Sequence, residues 1–563
     1  MKNLISHITH SSTHPLTHSS LSPSERGLGG VLIILMMMTS CSFLNEEPHS
    51  GQPENVVITT DVILHRQAVL SLYDHIGSGE DGVGLQGTYR GIYDLQTFAS
   101  NEAIIPVRGG DWWDGGLWMD LYEHNWAVDN ECCENAWLYL YQLVGLCNHS
   151  LHLLEQYASL LTDEQQRTYD AEVRAVRALA YVYLIDLFGR VPLVTHYDMT
   201  VHEIHQSERS RVFQFIWSEL QEVTSLLPDE RSNARGLYYG RITRPVAHFL
   251  LMKMALNAEV WTDDDWTDGV RPDGKTIQLL CAEDNKNRNA WETVNFYADQ
   301  ILHSNARYAL CSSQTKCFEV FNEDATENIF TIPMNPNVYR NRFKNLFRSL
   351  HYQHAGALGY GGENGSCATL ETLHAFGYGT SLQDCRFGIS FFAGRVMVNN
   401  EPLVLSTGDT LVYHALAVEK DLTGSPYVAT AGARMRKYVF DPGSIFDGQL
   451  QNSDIVLFRL ADVYLMQAEA LVRNAQNGQE PFDLVRMREP IALGIAGKPR
   501  EATLENIYLE RWIELVWEGW HRQDQIRFDK YSDRPEERYL TVFPIPVKAI
   551  QTNPNLTQNK GYE

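Results

Sequence analysis

Apolar residues recur at helical spacing in four stretches of the chain, and each stretch carries its own boundary signals. Thr162-Asp163-Glu164-Gln165 reads as a capping box. Tyr169, Val173, Val176, Ala180, Tyr183, Leu184 and Leu187 then fall on one helical face until Gly189 ends the run, with Pro192 beyond. A second helix opens at Thr243 with Pro245 in its first turn and buries Leu250, Leu251, Met254, Ala255 and Ala258. A third is expected from Asp454 to Arg473 through Leu457, Leu460, Ala461, Tyr464, Leu465, Ala468 and Leu471, and a fourth from Thr503 through Leu504, Ile507, Tyr508, Trp512, Leu515 and Val516. Between about 305 and 450 the helical period fades and Gly, Asn, Tyr and Ser accumulate. Leu403-Val404-Leu405 and Thr410 to Tyr413 read as short strands there. The chain closes on Phe543-Pro544-Ile545-Pro546 and Asn553-Pro554, which predict an extended, turn-rich strip pinned across a folded body.

The first 55 residues follow a different pattern. Gly27 to Met38 is apolar or Gly throughout, too short for a stable span of about 20 residues, and fits the h-region of a signal peptide. Thr39-Ser40-Cys41 follows, small residues before a Cys, as in a bacterial lipobox that lipidates Cys41. Lys2 and Arg26 are the only Lys or Arg residues in positions 1–26, an odd n-region that we read as an over-long gene start. Residues 41–55, with Glu46, Glu47 and Glu54, read as an acidic tether after the lipid.

Composition narrows the function classes. A 563-residue chain that is 44% hydrophobic can bury a large core. Its net charge of −24 argues against nucleic acid as a partner, because phosphates need a basic surface. Eight Cys remain besides Cys41; the spacing lacks paired Cys-x-x-Cys units, and buried free thiols are expected in so large a core.

Several motifs occur in a telling order. Ala171-Glu172-Val173-Arg174-Ala175 leads to Leu187-Phe188-Gly189-Arg190-Val191-Pro192. Phe458-Arg459-Leu460-Ala461-Asp462-Val463 leads to Gln467-Ala468-Glu469-Ala470. Glu510-Arg511, Glu514-Leu515 and Glu518-Gly519 precede Asp524, and the tail carries Asn553-Pro554-Asn555-Leu556-Thr557-Gln558-Asn559. With the lipobox, this series resembles the SusD/RagB family. The resemblance implies a mostly α, SusD-like fold: a scaffold of tetratricopeptide-type helix pairs, a loop-rich second part and few short strands. On that reading 1–40 is the signal peptide, 41–55 the lipidated tether, 56–304 the N-terminal helical part, 305–450 the loop-rich part and 451–563 the C-terminal helices and tail. It further implies a lipid-anchored protein at the outer-membrane surface. Such a protein captures nutrient for a SusC-like TonB-dependent transporter, with no cofactor and no catalytic residues. Glu469 and Arg459, with one another or with nearby helix ends, and Glu510, Arg511, Glu514 and Glu518 among themselves, are expected to form fold-holding polar networks.

The strongest local candidate for a ligand site runs from Arg108 to Trp118. Gly pairs give the loop backbone freedom, and Trp112, Trp113 and Trp118 are a large apolar load for it. Trp faces stack on the C–H faces of sugars, while Asp111, Asp114 and Arg108 hydrogen-bond hydroxyls. A second candidate segment holds Tyr339, His351, Tyr352, His354, Tyr360, Phe376 and Tyr378, of which Tyr352 and Tyr360 are the ligand candidates. A third, Trp261 to Gly269, clusters Asp but lacks the closing Glu of an EF-hand and reads as a solvated acidic loop rather than a metal site.

Three functions compete. Glycan capture is favoured by the aromatic loop, and peptide capture of the RagB type would use an extended groove with backbone edges. A glycosidase would need a carboxylate pair such as Asp111 and Asp114, but the chain carries no nucleophile elbow or His-Glu-x-x-His.

Overall fold

The computed structural model describes residues 58–77, 83–87, 89–338 and 342–563. The signal peptide, Cys41, the tether and Tyr339 lie outside the described residues.

Long helices pack in succession along the chain. Glu131–Gln156 opens with Asn130 accepting from the Cys132 and Cys133 amides, and packs on Asp163–Phe188. The expected capping box opens the latter, with Thr162 and Gln165 exchanging hydrogen bonds. Its Ala171, Ala175, Ala178 and Ala180 are fully buried, so neighbouring helices approach closely. Arg209–Val223 packs on that helix in turn. Arg244–Leu256, with Pro245 in its first turn, pairs with Ala290–Leu302, and the latter packs on Leu460–Arg473. Gln479–Arg486 and Leu504–Leu515 complete the series against Leu460–Arg473, the last capped by Thr503 as its sequence predicts. This is the succession of helix pairs that the resemblance implied. Among the described residues strands are short and form only two-stranded pairs, and no helix is long and apolar enough to cross a membrane.

One boundary differs from expectation. The third helix begins at Leu460, not Asp454, because Ile455–Arg459 is a strand paired antiparallel with Asn328–Ile332. Every residue of both strands is buried. A run apolar on both faces with β-branched Ile455 and Val456 suits a fully buried strand, and tertiary pairing overrides the helical period that continues through it. In the loop-rich region Val412–Tyr413 pairs with Gly394–Arg395, and Val404 bridges Thr410.

The polar networks also have partners other than those expected. Arg459 bonds Glu327, Glu514 and Glu518 rather than Glu469. Glu469 instead takes Arg527 and Arg473. Glu510 pairs with Arg386 and Arg486, and Arg511 with Asp462 and Asp524. Glu518 lies beyond the end of the Leu504–Leu515 helix. The first network closes electrically: Glu327, Asp384, Glu510, Glu514 and Glu518 meet Arg386, Lys437, Arg459, Arg486 and Arg488, all buried. Burial pushes the Glu514 carboxyl up, but Arg488, Arg459 and Arg386 outweigh it and hold it well below the usual carboxylate range. The 510–518 segment is thus bound to distant parts of the chain, which long-range pairing achieves and i,i+4 pairing cannot.

The tail is pinned as its sequence predicts. Phe543 and Ile545 are fully buried, and the Phe543 amide donates to Leu187 O at 2.7 Å. Gly189, at φ +66°, ends the Asp163–Phe188 helix where a Cβ would sit 3.1 Å from Val542 Cγ1, so a side chain there would strain the turn and crowd the tail.

Candidate functional site

The 108–118 loop springs from fixed backbone. Ala103–Ile104 pairs with Cys367–Ala368, and Val107 bridges Asp421. Arg108 and Asp111 then exchange backbone hydrogen bonds at 3.0 and 3.2 Å, closing a tight turn around Gly109 at φ +69°. Arg108 is only 5% exposed; its guanidinium donates to the carbonyls of Gly365, Val428 and Ala431. Burial and the neighbouring Arg434 lower its pKa to about 9. Arg108 therefore fastens the loop to the 365 and 428–431 segments.

The three Trp have different roles. Trp118 is buried; its indole N–H donates to Asp114 Oδ2 at 2.7 Å and its ring meets Phe98 and Trp112 edge-on. Trp112 is half-buried at φ +64°, donates to Glu363 O at 2.9 Å, and covers Gly365, whose absent Cβ would lie 2.6 Å from the indole. Trp113 is left 58% exposed on this base. Asp114 also takes Arg90 at 3.1 Å, which links the loop to the exposed Tyr89.

Asp111 accepts from Tyr352 Oη at 2.8 Å. Tyr352 begins the Tyr352–Ala357 helix and is 46% exposed. Burial and the Asp111 carboxylate raise its pKa to about 12, so it stays a hydroxyl donor at neutral pH. The structure thus unites two of the segments singled out in the sequence. Trp113, Asp111 and Tyr352 are exposed, whereas Arg108 and Trp118 are buried and Trp112 is half-buried.

Tyr360 is placed elsewhere. It is 5% exposed, its hydroxyl accepts from the Asp441 amide at 2.9 Å, and its ring fills the space where Gly448 lacks a Cβ. His351, His354 and Phe376 are buried, and Tyr378 packs on Phe387. In the acidic loop Trp261 is fully buried, Asp264 caps Ser210 and Asp265 takes Lys560. Sequence reasoning passed over Tyr89, Lys344 and Tyr427. The Lys344 ammonium lies 5.5 Å from the Tyr89 ring, and exposed Tyr427 rests on His414 next to the Val428 carbonyl that Arg108 holds. Each is a single aromatic or cation amid unremarkable neighbours, which gives no local signal.

The described residues form a helical scaffold with loops fastened to it by Arg108 and by the Ala103–Ile104 and Cys367–Ala368 pairing. The chain belongs to the SusD/RagB family. Residues 417–539 match the SusD family model, and residues 43–256 match the model described as starch-binding associating with outer membrane. It is 22% identical over 524 residues to the starch-binding protein SusD of Bacteroides thetaiotaomicron, covering 85% of this chain and 87% of that one. A SusD-like protein of Bacteroides ovatus is 23% identical over 546 residues, covering 94% and 86%. Among solved structures, a laminarin binding SusD-like protein superposes with a TM-score of 0.64 at 18% identity, over 90% of this chain and 100% of that one. Surface glycan-binding protein A from Bacteroides thetaiotaomicron, in complex with laminarihexaose, gives a TM-score of 0.64 at 19% identity over 89% and 100%. The fold is therefore SusD-like.

Proposed function

We propose that this protein is a surface lipoprotein, anchored to the outer membrane through Cys41. It captures a nutrient oligo- or polysaccharide and passes it to a SusC-like TonB-dependent transporter. The observation that carries the reading is Trp113, a large apolar face left in solvent on the loop whose half-buried Trp112 and buried Trp118 meet edge-on and whose Asp111 pairs with Tyr352. A sugar ring stacks on the indole while Tyr352 and Asp111 serve its hydroxyls, the hydroxyl as donor and the carboxylate as acceptor. The relatives named for starch, laminarin and glycan binding support the same ligand class.

The protein binds without cleaving. Asp111 and Asp114, the carboxylates a glycosidase would need, already accept hydrogen bonds from Tyr352 and Trp118, and Asp114 is ion-paired to Arg90. Their partners hold them as fixed acceptors, which suits recognition of hydroxyls. The test is calorimetric titration of the purified protein with maltooligosaccharides, laminarihexaose, uronate-containing polysaccharides and mixed peptides, with product analysis after incubation. Saturable binding of one glycan class without breakdown supports the reading. Binding of peptides alone, or release of shorter sugars, overturns it.

A further inference from the structure

Cys311 and Cys317 lie away from the Trp loop and have no part in the function above. Their sulfur atoms and a Glu327 carboxylate oxygen lie within 4.8 Å of one another. Cys317 is fully buried near the end of the Gln314–Phe318 turn of helix, and Cys311 is 9% exposed. Both are held by their backbones. The Cys311 amide donates to Glu327 Oε2 at 3.0 Å, and Cys317 O accepts from Asn322 and Asn328 at 2.7 and 3.0 Å.

A group of two thiols and a carboxylate invites a metal reading, which the surroundings oppose. Glu327 already accepts from Arg459 Nη1 at 2.9 Å and from Arg488 Nη1 at 2.9 and 2.8 Å. Both carboxylate oxygens are engaged, and two guanidiniums stand where a cation would need negative charge. What remains is two thiols held within 4.8 Å of one another, the arrangement that disulfide exchange needs. We propose that Cys311 and Cys317 are a modification site, at which exchange with an external disulfide oxidant joins them as an intramolecular cystine.

The chemistry balances as two exchanges. The Cys311 thiolate attacks one sulfur of the oxidant, whose other sulfur leaves as a thiolate. Cys317 then loses its proton and attacks the Cys311 sulfur, expelling the oxidant's second thiolate. Two thiols become one cystine, the two protons go to the two departing thiolates, and the oxidant gains two electrons. The order follows exposure, because only Cys311 reaches the surface. A hydrogen bond from Cys317 brings the Cys311 thiol down to about 7, which supplies the first thiolate, whereas burial raises that of Cys317. The cystine closes a short ring across the turn that carries Phe318, and Phe318 lies against both Arg459 and Lys437 of the buried ion network. The bond would therefore brace the floor of that network.

The test uses the purified full-length protein, reduced, desalted and exposed to oxidised glutathione. It is then unfolded, alkylated without reductant and peptide-mapped. The proposal expects a Cys311–Cys317 link, two hydrogens lighter than the dithiol, and a melting temperature several degrees higher than that of the reduced protein. In a Cys317→Ala variant Cys311 should instead hold glutathione. Alkylation of both thiols, a lasting glutathione adduct on Cys311 in the wild type, or stoichiometric zinc that shields the pair would each overturn it. The inference stands apart from the glycan reading, since no step of the test involves a ligand.

Discussion

Tyr352 donates its hydroxyl to Asp111 Oδ2 at 2.8 Å, joining the tip of the Trp loop to a helix 241 residues further along the chain. Both partners face solvent, so on the proposed function the bond orients them for a ligand more than it holds the fold. Tyr352→Phe keeps the ring and removes the donor. We expect its affinity for a bound glycan to fall by up to about tenfold, the worth of one net hydrogen bond, with an unchanged melting temperature. Calorimetry and a thermal melt on the same sample check both halves.

The buried ion network makes a contrasting prediction. Glu514 accepts from Arg386 at 2.8 Å and Arg459 at 2.7 Å, and it also bonds Arg488. Glu514→Gln leaves three buried guanidiniums around a neutral amide. The loss should be about 3–5 kcal/mol, read from urea unfolding. A loss below about 1 kcal/mol, the scale of a surface pair, would mean the network is solvated.

Glu102 predicts a pH dependence of opposite sign to ordinary acid denaturation. It is fully buried, with the Trp517 amide donating to it at 2.8 Å, and burial raises its pKa from 4.5 to about 8. Between those values the folded state holds a proton that the unfolded state has released, so this group lowers stability progressively as pH rises from about 4.5 to 8. Glu102→Gln should melt close to wild type at pH 4 and above it at pH 8. Glu469 works the other way. Burial raises it but Arg527 and Arg473 prevail, holding it at about 2, so its contribution is present above 4.5 and lost as pH falls toward 2. A Glu102→Gln advantage that did not grow with pH would contradict the assignment.

Asn559 ties the tail to the scaffold. It is fully buried, and its amide donates to Phe188 O and Phe543 O, both at 2.9 Å. Asn559→Ala leaves two buried carbonyls short of a donor, which costs about 1–3 kcal/mol. The tail should open first, seen as early proteolytic loss of the residues after Pro546 in limited digestion.

Much of this was legible in the chain, and the exceptions share a cause. Thr162 and Gln165 marked a helix start because capping is local chemistry, and the Pro-rich tail announced its irregular path for the same reason. Strand Ile455–Arg459 was hidden because a doubly buried strand and a buried helix turn look alike in apolar content, and the partner at 328–332 lies far off. Ion partners such as Arg386 and Glu327 were invisible for that reason too. In the Trp loop the residue types pointed to a site, yet which ring faces outward depends on positive φ at Trp112, Asp114, Gly115 and Gly116. Spacing does not reveal a backbone path of that kind, and Trp113 is exposed only because of it.

The most direct test of the central claim is calorimetric titration of a bound glycan into wild type, Trp113→Ala and Trp118→Ala. Trp113 is 58% exposed, so its loss should weaken binding by at least about tenfold, or about 1.4 kcal/mol, with little change in the melting temperature. Trp118→Ala should instead destabilise the fold by about 3–5 kcal/mol, because it empties a buried site. If Trp113→Ala bound the glycan as tightly as wild type, the Trp loop would not be where this protein holds its ligand.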